Sequence, residues 1–301
     1  MEILCIGHAT YDITIVVDEY PKENDKYRIK DRTECGGGPA SNAAYLLSKW
    51  GVTTYFAGLV GNDAYGRRIK EEFDEIGVNT KYMEISDNAS TTSSFILANK
   101  ENGSRTVFAY KKENEKMDII DFKINPSLIL IDGQEPRLSN AALNKFPNAI
   151  SVIDAGRDTK EVRELCKKVD YVACSKNFAE SVTGVEINYT YTNSIIEAFK
   201  VLKDMFKTNI IITLESHGCV YEKDGAIRIM PSIKVKPKDS TAAGDIFHGA
   251  LAYGIAHNFP YETTLKYANI AGALSTEKVG GRFSIPTKKE VESRYVRVKW
   301  L

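Results

Sequence analysis

The chain has 301 residues, 43% apolar and 27% charged, with 40 lysines and arginines balancing 40 aspartates and glutamates. That length can bury a large core as one big α/β domain or two small ones, and a formal charge of zero argues against a dedicated nucleic-acid binder, which carries a basic excess. No apolar run approaches the roughly 20 residues needed to cross a bilayer.

The opening MEILCIGHATYDI lacks the basic segment, apolar stretch and small-residue cleavage site of a secretory signal, so a cytoplasmic protein with no membrane partner is expected. Ile3 to Gly7 is a short apolar run ending in glycine and reads as a buried strand. Asp12 to Glu34 is strand-like but strongly polar, with Pro21 to Asp25 as a turn. Such a ribbon has too little apolar surface for a core of its own and is expected to pack as a flap over something else. After Gly36 to Gly38, the run ASNAAYLLSKWG has helical apolar spacing and ends at Gly51. A strand at Thr54 to Val60, a helix at about Ala64 to Ile76 and a second ribbon follow. That ribbon joins Thr92–Ala98 to Arg105–Tyr110 through the turn NKENGS.

From Ser127 the rhythm changes. SLILID, AISVID, DYVAC and NIIITL are short, nearly continuous apolar strands. Helical stretches separate them at about Arg137–Phe146, Lys160–Lys168 and Thr192–Phe206. This alternation predicts a parallel sheet covered on both faces with right-handed crossovers. Ala243–Ala256 and Tyr261–Lys278 read as two further helices. The expected fold class is α/β, a doubly wound, mainly parallel sheet flanked by helices. We expect a single domain over 1–301, with a small β-sheet lid inserted in two pieces, about 12–35 and 90–110. Cys5, Cys35, Cys166, Cys174 and Cys219 are odd in number and have no CxxC spacing, which points to reduced structural thiols rather than disulfides or zinc.

The strongest chemical signal is KDSTAAGDIFHGAL, Lys238 to Leu251. Asp239, Ser240 and Thr241 suit a turn and helix cap, and small residues lead straight into a helix. Free N–H groups at a helix start, with side chains no larger than those of Ala242, Ala243 and Gly244, let a phosphate approach closely. Asp245 follows in the first turn, where an acid can accept the proton of an attacking alcohol. An ordinary capped helix would read the same way from this segment alone. The second signal is GGGPASNAA, Gly36 to Ala44, whose glycines permit close backbone approach to a ligand and whose Asn42 can hydrogen-bond a polyhydroxylated one. Neither GxGxxG nor GxxxxGK[ST] is present, so dinucleotide-binding and P-loop chemistry are not expected.

Together, Gly-Gly-x-x-x-Asn near the start and Asp-Ser-Thr-x-Ala-Gly-Asp near the end closely resemble the two signatures of the ribokinase-like (phosphofructokinase B) carbohydrate kinase family. Gly7 with Asp12, the two ribbon pieces, Thr213-Leu214 and VGGRFSIPT extend the match over almost the whole chain. The resemblance implies a kinase in which ATP and a sugar meet at the carboxyl edge of the sheet beneath a β-lid. Asp245 would be the base, and the N–H groups of Ala242, Ala243 and Gly244 the anion hole. Asp12, Gly37, Gly38 and Asn42 would bind sugar hydroxyls. Arg105 would reach the substrate from the lid, although a solvated ribbon charge explains it equally well. Gln134 would contact substrate, with Glu135 as its competitor one residue on.

On the nucleotide side the resemblance assigns Thr213, Gly218 and Asn269, while Glu215 replaces a common glycine. Asn177 and Glu180 match an Asn-x-x-Glu motif for magnesium and phosphate displaced by two residues, a form similar to ketohexokinase-like members. Asp239, Thr241, Ser275, Lys278, Gly280 and Ser284 match a potassium site beside the anion hole. The implied cofactors are ATP, magnesium and a monovalent cation, and a homodimer through the lid is the implied partner state. The expected reaction is phosphoryl transfer to a primary sugar hydroxyl. A nucleoside kinase, a sugar-phosphate kinase suggested by Lys26, Arg28, Lys30 and Arg32, and a silent sugar or nucleotide binder remain as alternatives.

Overall fold

The computed structural model describes residues 1–112 and 116–298. The chain begins with β1 (Glu2–Ile6), β2 (Thr10–Val17), β3 (Arg32–Gly37), α1 (Pro39–Lys49), β4 (Thr53–Gly61), α2 (Ala64–Ile76) and β5 (Asn79–Ser86). It continues through β6 (Thr92–Asn99), β7 (Arg105–Tyr110), β8 (Leu128–Ile131), α3 (Pro136–Lys145), β9 (Ile150–Ala155), α4 (Lys160–Cys166), β10 (Tyr171–Ser175), α5 (Lys176–Thr183), α6 (Thr192–Phe206) and β11 (Asn209–Thr213). It ends with β12 (Cys219–Lys223), β13 (Ala226–Met230), α7 (Ala243–Ala256), α8 (Tyr261–Ser275) and α9 (Lys288–Arg297).

Nine strands form the main sheet in the order β13-β12-β11-β10-β9-β8-β1-β4-β5. The stretch from β11 to β5 is parallel throughout, and the hairpin β12–β13 is the antiparallel edge. Both faces are covered, which is why the strands read as continuous apolar runs. Ile3 and Cys5 of β1 and Leu128 and Leu130 of β8 pack in one core with Leu46 of α1, Leu251 of α7 and Leu265 of α8. Leu4, Ile6, Ile129 and Ile131 face the opposite core with Leu138 of α3, Leu165 of α4, Phe178 of α5 and Phe199 of α6. All five cysteines are buried and unpaired. Among the described residues, no helix is long and apolar enough to cross a membrane.

A separate four-stranded sheet, ordered β3-β2-β6-β7, comes from the two polar pieces. β2 pairs parallel to β6 along its whole length, while β3 and β7 add antiparallel at the edges. The first ribbon is shorter than its sequence suggests. No strand crosses residues 18–31, which are exposed throughout and have no buried face to enforce pairing. β5, α5, the β12–β13 hairpin and α9 are present beyond the elements expected from the sequence. β5 is a half-exposed edge strand without a continuous apolar run, and α9 buries only Val291.

Candidate active site

The sheet order locates a crevice. From β1 the chain winds outward to β4 and β5, then returns to place β8 on the other side of β1. The carboxyl ends of β1 and β8 therefore diverge at a topological switch, where open α/β sheets bind ligands. Asp132, just past β8, ties this point together: one carboxylate oxygen accepts from the N–H of His8 at 2.7 Å and of Ala40 at 3.2 Å, and the other from the N–H of Gln134 at 2.9 Å. Burial pushes its carboxyl up to about 6 despite those donors.

α1 starts from the glycine run. Gly38 has φ +96°, and a Cβ there would meet the His8 carbonyl oxygen at 2.5 Å. At Gly37, a Cβ would overlap the carboxylate of Asp12. Asp12 is buried, accepts from the Thr10 hydroxyl at 2.9 Å, and has its carboxyl raised chiefly by burial. Asn42, one turn into α1 and buried, donates through Nδ2 to Oδ2 of Asp245 at 2.8 Å. This contact joins motifs 203 residues apart. Its amide oxygen has no hydrogen-bond partner among the described residues.

The N-terminus of α7 is the other wall. Ala242 precedes it with φ 63°, a left-handed conformation unusual for a residue with a Cβ. Ala243 N–H makes a long 3.3 Å bond to the Ser240 carbonyl, and Gly244 N–H has no acceptor among the described residues. These groups and the helix dipole make an anion-favouring terminus beside Asp245. The small sheet is docked here. Arg105 donates to the Ser240 hydroxyl at 3.0 Å, and Ser240 N–H donates to the Gly103 carbonyl at 3.0 Å. Arg105 is thus at the anion-favouring loop, near enough to lower the Asp245 carboxyl, rather than free in solvent.

Asp239 organises the loop before α7. One oxygen accepts from Thr241 N–H and the other from Gly280 N–H, each at 2.9 Å. Ser275 and Ser284 are buried with their hydroxyls bonded to the Gly272 and Gly281 carbonyls, and Lys278 reaches outward to Glu290 at 3.1 Å. The six residues assigned to a monovalent cation are therefore brought to one neighbourhood by the bond from Gly280 N–H to the Asp239 carboxylate and by the Lys278–Ser275 and Ser284–Gly280 backbone bonds. Among the described residues the buried Thr241 hydroxyl has no partner, an open oxygen of the kind a cation would use. Lys278 offers only its backbone carbonyl to such an ion.

Two buried charge pairs support the crevice, and the sequence reading had missed both. Arg282, fully buried, pairs with Glu72 at 2.8 Å and stacks over the Phe73 and Tyr45 rings, while Glu72 also accepts from Gly36 N–H at 2.9 Å. A guanidinium also donates to the Ser41 hydroxyl, so the terminal VGGRFS segment holds the start of α1. The second pair is Asp154, the last acid of AISVID, with His248 of α7 at 2.6 Å. His248 follows Asp245 by three residues, so both lie on one side of α7. Burial, and then the charge of Asp154, push the Asp245 carboxyl above the usual carboxylate range. Burial lowers His248, but its carboxylate neighbours prevail and hold it above the ordinary imidazole value. The available signals were acids closing otherwise apolar strands, Asp132 and Asp154, and a lone histidine in an apolar helix.

The nucleotide-side residues are less closely joined. Thr213 ends β11 and donates to the Cys174 carbonyl at 3.2 Å; Gly218 has φ +98° and no room for a Cβ beside the Met230 carbonyl. Glu215 accepts from the Tyr189 hydroxyl at 3.1 Å, which gives the unexpected carboxylate a structural bond. Asn269 is buried and donates to Cys219 Sγ at 3.4 Å. Glu180 accepts from Ile187 N–H at 2.8 Å with Lys176 at 3.6 Å, whereas Asn177 is exposed. Ser175 of β10 pairs with Thr213 of β11, so α5 and the β11 end share this edge.

Known proteins supply the context for this geometry. A family model described as pfkB family carbohydrate kinase matches residues 1–288. Ribokinase from Haemophilus influenzae is 25% identical over 293 residues, covering 95% of each chain. An ATP-dependent ribose-1-phosphate kinase from Halopiger xanaduensis is 25% identical over 300 residues, covering 97% of each. The structure of Arabidopsis thaliana ribokinase complexed with ribose and ATP has the same fold, with a TM-score of 0.81, 23% identity and 98% of each chain covered. With the family match running through the glycine loop and the Asp239–Asp245 segment, this chain belongs to the pfkB family of carbohydrate kinases.

Proposed function

We propose that the protein transfers the γ-phosphoryl group of ATP to a primary hydroxyl of a monosaccharide, with Asp245 as general base. The observation that carries this reading is the Asn42–Asp245 bond at the start of α7, which sets a half-buried carboxylate between the glycine loop and a set of helix N–H groups. Asp12, Gly37, Gly38, Asn42 and Gln134 would align the sugar on Asp245, and the base would take the hydroxyl proton as the oxygen attacks. Ala242, Ala243 and Gly244 N–H groups, with Arg105 from the lid, would meet the negative charge of the transferring group.

Magnesium supplies charge neutralisation at the β- and γ-phosphates in such transfers. Asn177 and the carboxylate of Glu180 fit that task only in part, since Glu180 already holds Ile187 N–H. Thr213, Gly218 and Asn269 would shape the nucleotide side. A potassium ion near Asp239 and Thr241 would hold the loop that presents the anion hole. A cytoplasmic homodimer fits the exposed Phe95, Val107, Phe108 and Tyr110 on the lid.

The testing experiment is an ADP-release assay with ATP, magnesium and potassium over ribose, ketohexoses, aldohexoses, sugar phosphates and nucleosides. One strong hit that vanishes in Asp245→Asn supports the reading. A hit that survives in Asp245→Asn removes Asp245 from the chemistry, and a nucleoside hit would favour the related nucleoside-kinase reading.

A further inference from the structure

Val152 of β9 packs in the core that β9 and β8 share with α1, α7 and α8. Side chains two residues apart lie on the same side of a strand, so Asp154 is turned to that core as well. There it meets His248 of α7, with Nδ1 2.6 Å from its Oδ2 and the two side chains 5% and 7% exposed. From Ile246 to Ile255 every residue of α7 is buried, and His248 is the only one of them that can be charged near neutral pH. An ionisable ring in such surroundings is costly unless it is partnered. Neither ring nitrogen makes a well-directed hydrogen bond among the described residues. Charge and proximity, rather than hydrogen-bond direction, join the ring to Asp154.

Asp245 stands one turn earlier on the same side of α7 and is the other carboxylate that acts on His248. Asn42 offers Asp245 an uncharged donor. Arg105 acts on it from the exposed strand β7, more weakly than His248 does. Asp132, just past β8, also feels the charge of Asp154. Carboxylates of β8, β9 and α7 thus converge here with one buried cation among them. α1 and α8 pack on α7 too, but their ionisable groups turn elsewhere. Tyr45 and Lys49 of α1 feel Arg282 and Lys278, and Glu262 of α8 faces Lys223.

We propose that His248 is a positioning residue for the base: clamped by Asp154, its imidazolium is the counter-charge that keeps the neighbouring Asp245 ionised and able to accept a hydroxyl proton. This deepens the kinase reading and rests on it. The ring keeps its own proton throughout, and the proton taken from the hydroxyl stays on Asp245. Asp154 alone would do the reverse, since an unpaired carboxylate beside Asp245 favours the protonated, inactive base. The two members of the pair therefore act on the base in opposite senses, which a purely structural role would not produce.

The test reads the base without substrate. Side-chain carboxyls of isotope-labelled aspartates are titrated by NMR, with the Asp245 signal assigned by its loss in Asp245→Asn. In His248→Asn the Asp245 midpoint should rise by about one pH unit or more. In Asp154→Asn, where His248 is left with Asp245 as its carboxylate, the midpoint should fall. With both substitutions it should return to within about half a unit of the wild type. The His248 ring is read in the otherwise wild-type protein, its signal assigned by elimination through variants of the other three of the four histidines. At about pH 7.5, where an ordinary imidazole is about nine-tenths neutral, this ring should remain mainly imidazolium. A neutral ring overturns the proposal even if His248→Asn does not fold, and so does an Asp245 midpoint that His248→Asn leaves in place. The acidic limb of kcat/KM for ADP release should move in the same order. Asp245-dependent transfer with an unmoved midpoint sinks the counter-charge and leaves the kinase standing. A moved midpoint without Asp245-dependent transfer keeps the counter-charge and sinks the kinase reading.

Discussion

Around the proposed acceptor site the polar groups are buried or half-buried and bonded: Asp132 with three N–H groups, Arg282 with Glu72, Asp154 with His248, Asn42 with Asp245. Around the residues proposed for the nucleotide, Asn177 is exposed, Gly218 contributes backbone shape, Glu180 is partly buried between Ile187 N–H and Lys176, and the exposed Glu215 is held by the Tyr189 hydroxyl. The difference fits the division of labour in phosphoryl transfer. A base and an anion hole must be fixed before reaction because they act on charge that develops only in the transition state. A nucleotide can instead be gripped by backbone surfaces that need few buried side chains.

The contrast breaks most severely where a buried ion is left alone. Glu72→Ala strands the Arg282 guanidinium and should cost about 3–5 kcal/mol in urea unfolding; a loss below about 0.5 kcal/mol would mean that the pair is not holding the start of α1. Asn42→Ala removes a hydrogen bond to a carboxylate, worth about 1.5–3 kcal/mol, and should weaken acceptor binding roughly tenfold or more. Unchanged sugar affinity would make the glycine-loop motif structural only.

Asp154→Asn sharpens the comparison through pH. A base at Asp245 would work when ionised, so the proposed activity should fall as pH drops through its pKa. Burial and the charge of Asp154 hold that pKa above the usual carboxylate range. Asp154 acts on Asp245 more strongly than His248 does. Removing its charge should therefore move the acidic limb of kcat/KM to lower pH, and an unmoved limb would sever Asp154 from the base. The smallest expected effect lies at the nucleotide end. Asn177→Ala should stay within about 0.5 kcal/mol of the parent in stability, and a larger loss would show that this end is as rigidly built as the other.

Much of this was legible in the sequence. Continuous apolar strands alternating with helices give away a sheet buried on both faces, and the two small-residue motifs mark the helix starts that converge on Asp245. The small second sheet was legible as polar pieces too poor in apolar surface to stand alone. What escaped has a common cause. β5, α5 and α9 carry weak patterns because each buries little or is short. Arg282, Glu72, Asp154 and His248 are isolated charges whose meaning depends on partners 94 to 210 residues away in Arg282–Glu72 and Asp154–His248. Chain spacing does not reveal such pairs; the sheet order does.

The central claim is that Asp245 takes the proton of the attacking hydroxyl. It is tested most directly by single-turnover phosphoryl transfer in wild-type and Asp245→Asn proteins, with ATP affinity measured on the same samples. The account predicts transfer slowed by about a hundredfold or more with ATP affinity within about twofold of the parent. Transfer at the parental rate would contradict it.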